Sequence, residues 1–300
     1  NMIDELGRNK VEQAMLEQSA TLTLPPRLEN VSLDDLPTGP GVYLFYGDND
    51  ALLYVGKSKH IQTRVRSHFS GVFKSDRKMQ MVQQIEHIET IETAGEIGAL
   101  MLEANIIKSR QPIYNRRLRR NGQLYGIHWH DETTPVPRIV SIDEIDPATL
   151  GHTYGLFRSK KQLQETLRKL AADHQLCLKQ LGLEKGKGAC FAYQLHKCRG
   201  ACIGEESIQQ HHARLQSALL PIRLQTWPYK GAIGIRETHP DNDRQEIHII
   251  NHWQYLGSAT DEQEITSMLE SNNPWKLDID IYRILEKGLR SSRDIVYFSI

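Results

Sequence analysis

Between Gly41 and Ile107 the apolar pattern repeatedly switches between a period of two and a period of three to four, and this succession restricts the fold more than any other stretch. Gly41-Val42-Tyr43-Leu44-Phe45-Tyr46 is β-branched and aromatic. Gly47-Asp48-Asn49-Asp50 supplies a turn, and Leu52-Leu53-Tyr54-Val55 returns as a second strand, so the segment reads as a β-hairpin. A helix is predicted from Ser58 through Phe69, and a second from Arg77 to Glu86 with Met81 and Ile85 four apart. His87 to Thr93 reads as a short third strand. Thr93-Ala94-Gly95-Glu96 has capping-box spacing and opens a helix with Ile97, Leu100, Ala104 and Ile107 on one face, closed by Pro112. The expectation over residues 37–120 is a small α/β domain built on a three-stranded sheet.

The remainder divides less sharply. Residues 1–36 read as an N-terminal extension, with helical composition from Lys10 to Gln18 before Pro25-Pro26. Residues 121–205 read as a connector: short strands between prolines up to about residue 158, a helix capped by Ser159 with Leu163, Leu167 and Leu170, then a cysteine-rich helical region. Residues 206–300 begin with a helix from Ile208 to Leu224. Strands near 232–235, 246–251, 253–257 and 294–300 and a helix near Asp261–Leu269 follow, forming a small α+β unit. The fold class is α+β overall. Trp227, Trp253 and Trp275 read as core residues of that last unit, which carries no chemical motif and is expected to dock or pack.

Thirty-seven basic and 37 acidic side chains cancel, but they are segregated. The formal charge is −6 over residues 1–53, +7 over 54–120, +6 over 160–200 and −6 over 237–300. Two basic blocks in a neutral chain fit a local face for a polyanion, although solvated charged helices would give the same count. No run approaches the ~18 apolar residues of a membrane span, and the start lacks the pattern of a secretory signal. A cytoplasmic, monomeric protein is expected.

All four cysteines lie between Cys177 and Cys202, as Cys177-x12-Cys190-x7-Cys198-x3-Cys202 among Lys179, Lys185, Lys187, His196, Lys197 and Arg199. Without an export signal a disulfide framework is disfavoured. Four thiolates so close together can satisfy one tetrahedral zinc or one cubane cluster. The spacing does not choose between these, and a buried unliganded set is the remaining alternative.

The first domain also carries the groups that phosphodiester hydrolysis requires. Tyr43 and Tyr54 lie on the two hairpin strands, Lys57 follows, and Arg64 and His68 are four apart on the next helix. Glu103 sits among Leu100, Met101, Leu102, Ala104, Ile106 and Ile107, where a carboxylate is costly unless paired or metal-bound. An acid can hold a divalent cation, Arg and Lys can offset charge on phosphate oxygens, and a phenol or imidazole can take a proton from water.

These residues carry a resemblance. Gly41-Val42-Tyr43, Tyr54-Val55-Gly56-Lys57, Arg64, Glu103 and Pro112-Ile113-Tyr114-Asn115 resemble the GIY-YIG nuclease superfamily. The strings GPGVYLF, LYVGKSKHIQTRVRSHF, AGEIGALMLEANIIK and QPIYNRRLRR are similar to the amino-terminal half of the UvrC excinucleases, over roughly residues 37–205. The residues after Leu224 resemble neither the second nuclease domain nor the helix-hairpin-helix elements of those longer enzymes. The resemblance implies a metal-dependent endodeoxyribonuclease of nucleotide excision repair that incises damaged double-stranded DNA 3′ of the lesion and is loaded by UvrB. Glu103 matches the ligand of a divalent metal (Mg²⁺ or Mn²⁺), and Lys57 and Arg64 match phosphate-contacting cations. Tyr43 and Tyr54 match the motif tyrosines, one a general base, and Asn115 matches a supporting active-site residue. His68 departs from the tyrosine usual in the UvrC excinucleases and would assist proton transfer or hold phosphate. Cys177, Cys190, Cys198 and Cys202 resemble a quartet that holds a 4Fe–4S cluster, with zinc as the alternative. A non-catalytic DNA- or partner-binding module on the same scaffold is the competing reading, and the presence of both tyrosines, Arg64 and Glu103 argues against it.

Overall fold

A computed structural model describes residues 24–28, 32–70, 75–115, 122–130, 136–271, 274–291 and 294–298. The helix expected over Lys10–Gln18 and the basic tail Arg116–Arg120 lie outside these residues. The nuclease-like domain opens with β1 (Gly41–Gly47) and β2 (Ala51–Ser58), joined by a turn in which Asn49 and Asp50 take positive φ. Helices α1 (Ile61–Phe69) and α2 (Asp76–Gln83), strand β3 (His87–Glu92) and helix α3 (Glu96–Arg110) complete it. The sheet is antiparallel in the order β2-β1-β3, the three strands expected. Its pleat sends Tyr43 and Phe45 to one face, packed with Ile61, Val65 and Phe69 of α1, and Val42, Leu44 and Val55 to the other, packed with Ile107 of α3.

Boundaries shift for local reasons. Ser58 stays in the strand and exchanges hydrogen bonds with His60 through its hydroxyl, so α1 starts at Ile61 rather than Ser58. Ser75 caps α2, which ends at Gln83, short of Glu86. The capping box expected at Thr93–Glu96 does not form. Thr93 turns its hydroxyl to the Gly95 carbonyl, and Gly95, the N-cap, has no side chain to offer. Nor is α3 buried along a single stripe. Ile107 packs with the sheet residues, while Met101 and Ile97 belong to a second core. That double burial explains why its sequence is apolar nearly all round.

Strands β4 (Tyr125–His128), β5 (Arg138–Ser141) and β6 (Thr153–Phe157) form a second antiparallel sheet ordered β5-β4-β6. Helix α4 (Lys160–Asp173) packs on it through Leu163 and Leu167, with Ser159 capping as the sequence indicates. The short α5 (Phe191–Gln194) lies within the cysteine region. Helix α6 (Ile208–Leu219) stops before Leu224 because Pro221 follows, and the chain tightens into a 3₁₀ turn over Leu220–Ile222.

The C-terminal part holds β7 (Ile233–Thr238), β8 (Gln245–Asn251), β9 (Gln254–Ala259), helices α7 (Glu262–Glu270) and α8 (Ile279–Ser291), and β10 (Ile295–Tyr297). Its sheet is ordered β10-β7-β8-β9. Helix α8 is an addition to the elements expected from sequence. Trp227 and Trp253 are buried as expected, and Trp275 packs against the same core. That core also takes in Leu124, Ile142 and Leu150 of the connector and Met101 of α3, so the C-terminal sheet is fused to the rest of the molecule through shared packing. Each fully buried side chain of that size contributes ~2 kcal/mol to holding the parts together. Among the described residues no helix is long and apolar enough to cross a membrane.

Candidate active site

The β1/β2 register places Tyr43 opposite Gly56 and Phe45 opposite Tyr54, so both tyrosines project on the face shared with α1. Their rings lie 6.1 Å apart. Gly56 is needed because the Tyr43 ring crosses it: a β-carbon there would overlap the Tyr43 hydroxyl and fall 2.9 Å from the Tyr54 ring. On α1, His68 is buried and its Nε2 meets the Tyr43 hydroxyl at 2.9 Å. Burial, helped by Lys78 and Arg64, pushes the imidazole down to about 3, which makes it a neutral partner of the phenol rather than a cation for phosphate. One turn earlier, Arg64 is exposed, with its guanidinium beside the Tyr43 phenol.

Glu103, on α3, is half-buried. Burial raises its carboxyl to about 7, and the Lys57 ammonium and main chain and the Arg64 guanidinium pull it back only part of the way. The same carboxylate raises both phenols. Tyr43 is pushed up by burial, then by Tyr54, with Glu103 adding to it and Arg64 opposing. Tyr54 is pushed up by burial and Glu103, against Arg64 and the Tyr43 hydroxyl. Mutual influence of this kind requires proximity, so the acid from α3, the guanidinium from α1 and the two hairpin phenols converge.

Two further residues named from sequence have structural partners of their own. Lys57 donates to Glu96 Oε1 at 3.0 Å, and the other carboxylate oxygen takes Lys59 at 2.8 Å, so Glu96 tethers the lysine pair instead of closing a capping box. Those two cations hold the Glu96 carboxyl below its ordinary value despite burial. Asn115 is bonded to the hairpin. Its Oδ1 accepts from the Val55 amide at 2.9 Å and its Nδ2 donates to the Val55 carbonyl at 2.8 Å. With Ile113 and Tyr114 bonded to Leu52 and Leu53, it fixes the edge of β2 beside Tyr54. From sequence Glu96 reads only as a capping residue; its place two turns before Glu103 on one helix face is the signal that it lies near the same groups.

In the cysteine region Cys177, Cys190 and Cys202 bring their sulfurs within 4.8 Å of one another, with Cys177 and Cys190 at 3.8 Å. Cys198 packs in the same cluster but stands outside that trio. All four are free thiols. The Cys190 amide points at Cys202 Sγ (3.3 Å) and the Gly200 amide at Cys198 Sγ (3.4 Å), the orientation that stabilises thiolates. Burial pushes Cys177 and Cys198 up, whereas at Cys190 burial is outweighed by the Tyr193 amide and neighbouring donors, which hold it low. The Cys177 amide donates to Nε2 of the buried His211 at 3.0 Å.

Three family models match in succession: the UvrC-like GIY-YIG domain over residues 39–116, the middle domain of UvrC/Cho excinucleases over 125–220, and the excinuclease Cho C-terminal domain over 232–297. The chain is 39% identical to excinuclease cho of Escherichia coli (strain K12) over 279 residues, 92% of this chain and 90% of that protein. It is 38% identical to the Salmonella typhimurium excinuclease cho over 290 residues, covering 95% and 94%. UvrABC system protein C of Helicobacter hepaticus is 35% identical over 190 residues, 60% of this chain and 30% of that protein. Among solved structures, the magnesium-bound GIY-YIG N-terminal endonuclease domain of UvrC from Thermotoga maritima matches with a TM-score of 0.26 and 32% identity, covering 28% of this chain and 90% of that one.

Proposed function

The chain belongs to the excinuclease Cho family, UvrC-like GIY-YIG endonucleases of nucleotide excision repair, and from that premise we propose that it cuts the damaged strand on the 3′ side of a lesion after loading by UvrB. The observation that carries the reading is the convergence of Glu103, Arg64, Tyr43 and Tyr54 around one half-buried carboxylate. No sequence-reading motif accompanies it, and phosphate contacts position a protein without specifying sequence. Lesion choice is therefore delegated to a partner.

Glu103 fits a divalent metal site: it is an oxygen donor held between water and hydrocarbon, and an unmet carboxylate there is unstable. When bound, Mg²⁺ or Mn²⁺ supplies charge stabilisation on the phosphate and the leaving oxygen. Arg64, exposed and adjacent, engages the non-bridging oxygens. Lys57 joins it once DNA phosphate competes with Glu96 for the ammonium. Tyr43 has one proton and two partners. If His68 Nε2–H donates to the Tyr43 oxygen, the Tyr43 hydroxyl is directed at Tyr54. That order lets the Tyr43 hydroxyl and the Arg64 guanidinium stabilise a phenolate at Tyr54, the less buried phenol; having first released its own proton to solvent, Tyr54 takes one from the attacking water, with Tyr43 and His68 orienting it.

The cysteine region forms a second module. Its clustered sulfurs and inward-pointing amides fit a 4Fe–4S cluster held by Cys177, Cys190, Cys198 and Cys202, with Cys198 closing in on binding. The basic chain around it would then lie against DNA. The enzyme acts as a monomer in the reducing cytoplasm, where its cysteines stay available as cluster ligands instead of forming disulfides.

The test is incision of a duplex carrying one defined lesion, with and without UvrB and with and without Mg²⁺. A single cut 3′ of the lesion that requires both is expected. Cutting that ignores the metal, or no cutting with both present, overturns the proposal.

A further inference from the structure

Helix α3 has an N-terminus that its own sequence leaves unfinished. Gly95 offers no cap, and Glu96 is occupied by Lys57 and Lys59. The next two amides, of Ile97 and Gly98, donate to the two oxygens of Glu237 at 2.9 and 2.8 Å. Glu237 lies on β7 of the C-terminal sheet, 140 residues away from Ile97 in sequence. Gly95 permits the approach: a β-carbon there would overlap the Glu237 carboxyl carbon and come within 2.7 Å of Oε2.

The carboxylate is itself held from behind. Glu237 Oε2 meets Nε2 of the fully buried His248 at 2.8 Å; His248 Nδ1 meets Ser258 Oγ at 2.8 Å; and Ser258 meets the Tyr255 hydroxyl at 2.5 Å. Strands β7, β8 and β9 thus all contribute to one part-buried chain of hydrogen bonds that ends on α3. Beyond β7, His239 packs against Gly39, ahead of β1, and stands 3.7 Å from Glu92 at the end of β3. Near the other end of α3, Lys108 pairs with Asp278, just before α8.

We propose that Glu237 is a positioning residue for the nuclease reaction, through which the C-terminal sheet fixes α3 and thereby aims Glu103. The inference rests on the reading of Glu103 as the cation ligand. A carboxylate on the second and third amides of a helix does the work of an N-cap and opposes the positive end of the helix dipole. Glu103 follows two turns later on the same rigid rod, ~10 Å along its axis. Losing the cap frees the first turn, together with Glu96 and the Lys57 it tethers, and loosens the register of Glu103 against Arg64 and the phenols.

The experiment uses the full chain and four variants: Glu237→Ala, Gly95→Ser, the double variant and Glu103→Gln. Incision is measured against Mg²⁺ concentration alongside the KM for DNA and the melting temperature. Glu237→Ala should raise the half-saturating Mg²⁺ concentration and lower kcat, each within the ~10–100-fold range seen for groups that orient a metal ligand, with KM for DNA unchanged. Gly95→Ser alone should impair the enzyme by collision with Glu237. In the Glu237→Ala background the serine occupies the vacated space, caps Gly98 locally and restores the Mg²⁺ requirement. If Glu237→Ala does not fold, Glu237→Gln, which keeps one acceptor oxygen, carries the same measurement with a several-fold effect (~3–10-fold). A wild-type Mg²⁺ requirement in the foldable Glu237 variant, or a double variant that regains melting temperature without regaining it, overturns the positioning role while an inactive Glu103→Gln leaves the site reading standing. If Glu103→Gln still cuts, the site reading itself falls and the positioning role with it.

Discussion

Replacing Glu103 by Gln should stabilise the metal-free protein while abolishing its activity. Burial raises the Glu103 carboxyl from its ordinary 4.5 to about 7. At ~1.4 kcal/mol for each pH unit between the two values, holding the carboxylate ionised in the fold costs ~3 kcal/mol as an upper bound, and about half that once solvent reaching a half-buried site is allowed for. The sign follows from proton uptake. Between pH 4.5 and about 7 the folded protein binds more protons at this residue than the unfolded chain, so stability falls as pH rises through that window and levels off above it. Glutamine removes the penalty. Urea unfolding in EDTA should therefore show the variant ~1–3 kcal/mol more stable than wild type at pH 8.5, and equal to it below pH 4.5. Mg²⁺ should stabilise only the wild type, narrowing the gap by mass action. A variant equally or less stable at pH 8.5, or one that gains as much from Mg²⁺ as wild type, would refute the reasoning.

Three further outcomes are expected. Arg64→Ala, at an exposed position, should leave stability within ~0.5 kcal/mol yet reduce incision ~10²–10³-fold; a normal single-turnover rate would remove it from the site. Asn115→Ala strips both hydrogen bonds from Val55 and should destabilise by ~1–3 kcal/mol in urea titration, whereas an unchanged midpoint would contradict its bracing of β2. Anaerobically purified protein should be brown, with iron and sulfide that Cys190→Ser loses; a colourless protein with one zinc would assign the cysteines to the other chemistry.

The hairpin, the three-stranded sheet and the Ser159 cap were legible because each depends on neighbours in sequence: alternation in β1, turn residues at 47–50, a serine three residues before Gln162. The convergence of Glu103, Arg64 and the two tyrosines was legible through motif resemblance, since no single one of those residues announces itself. What escaped depends on distant chain. Glu96 reads as a capping residue until Lys57 and Lys59 are seen to claim it. The true cap, Glu237, arrives from another sheet, and only the paired small residues Gly95 and Gly98 hint at the close approach. Helix α8 was hidden because Leu277, Ile279 and Ile281 alternate like a strand, and its core-facing spacing of Ile279, Tyr282 and Leu285 emerges only over nearly two turns. Likewise the single face of Ile97, Leu100, Ala104 and Ile107 is only part of what α3 buries, because the helix is covered by two cores, one of which distant chain supplies.

The central claim is that Glu103 holds the cation over the paired phenols. Anomalous scattering from crystals soaked in Mn²⁺ tests it most directly. A peak within ~2–2.3 Å of a Glu103 oxygen, on the Arg64 and Tyr54 side and absent in Glu103→Ala, is the result predicted. A fully occupied manganese elsewhere in the domain, with Glu103 bare, would contradict it.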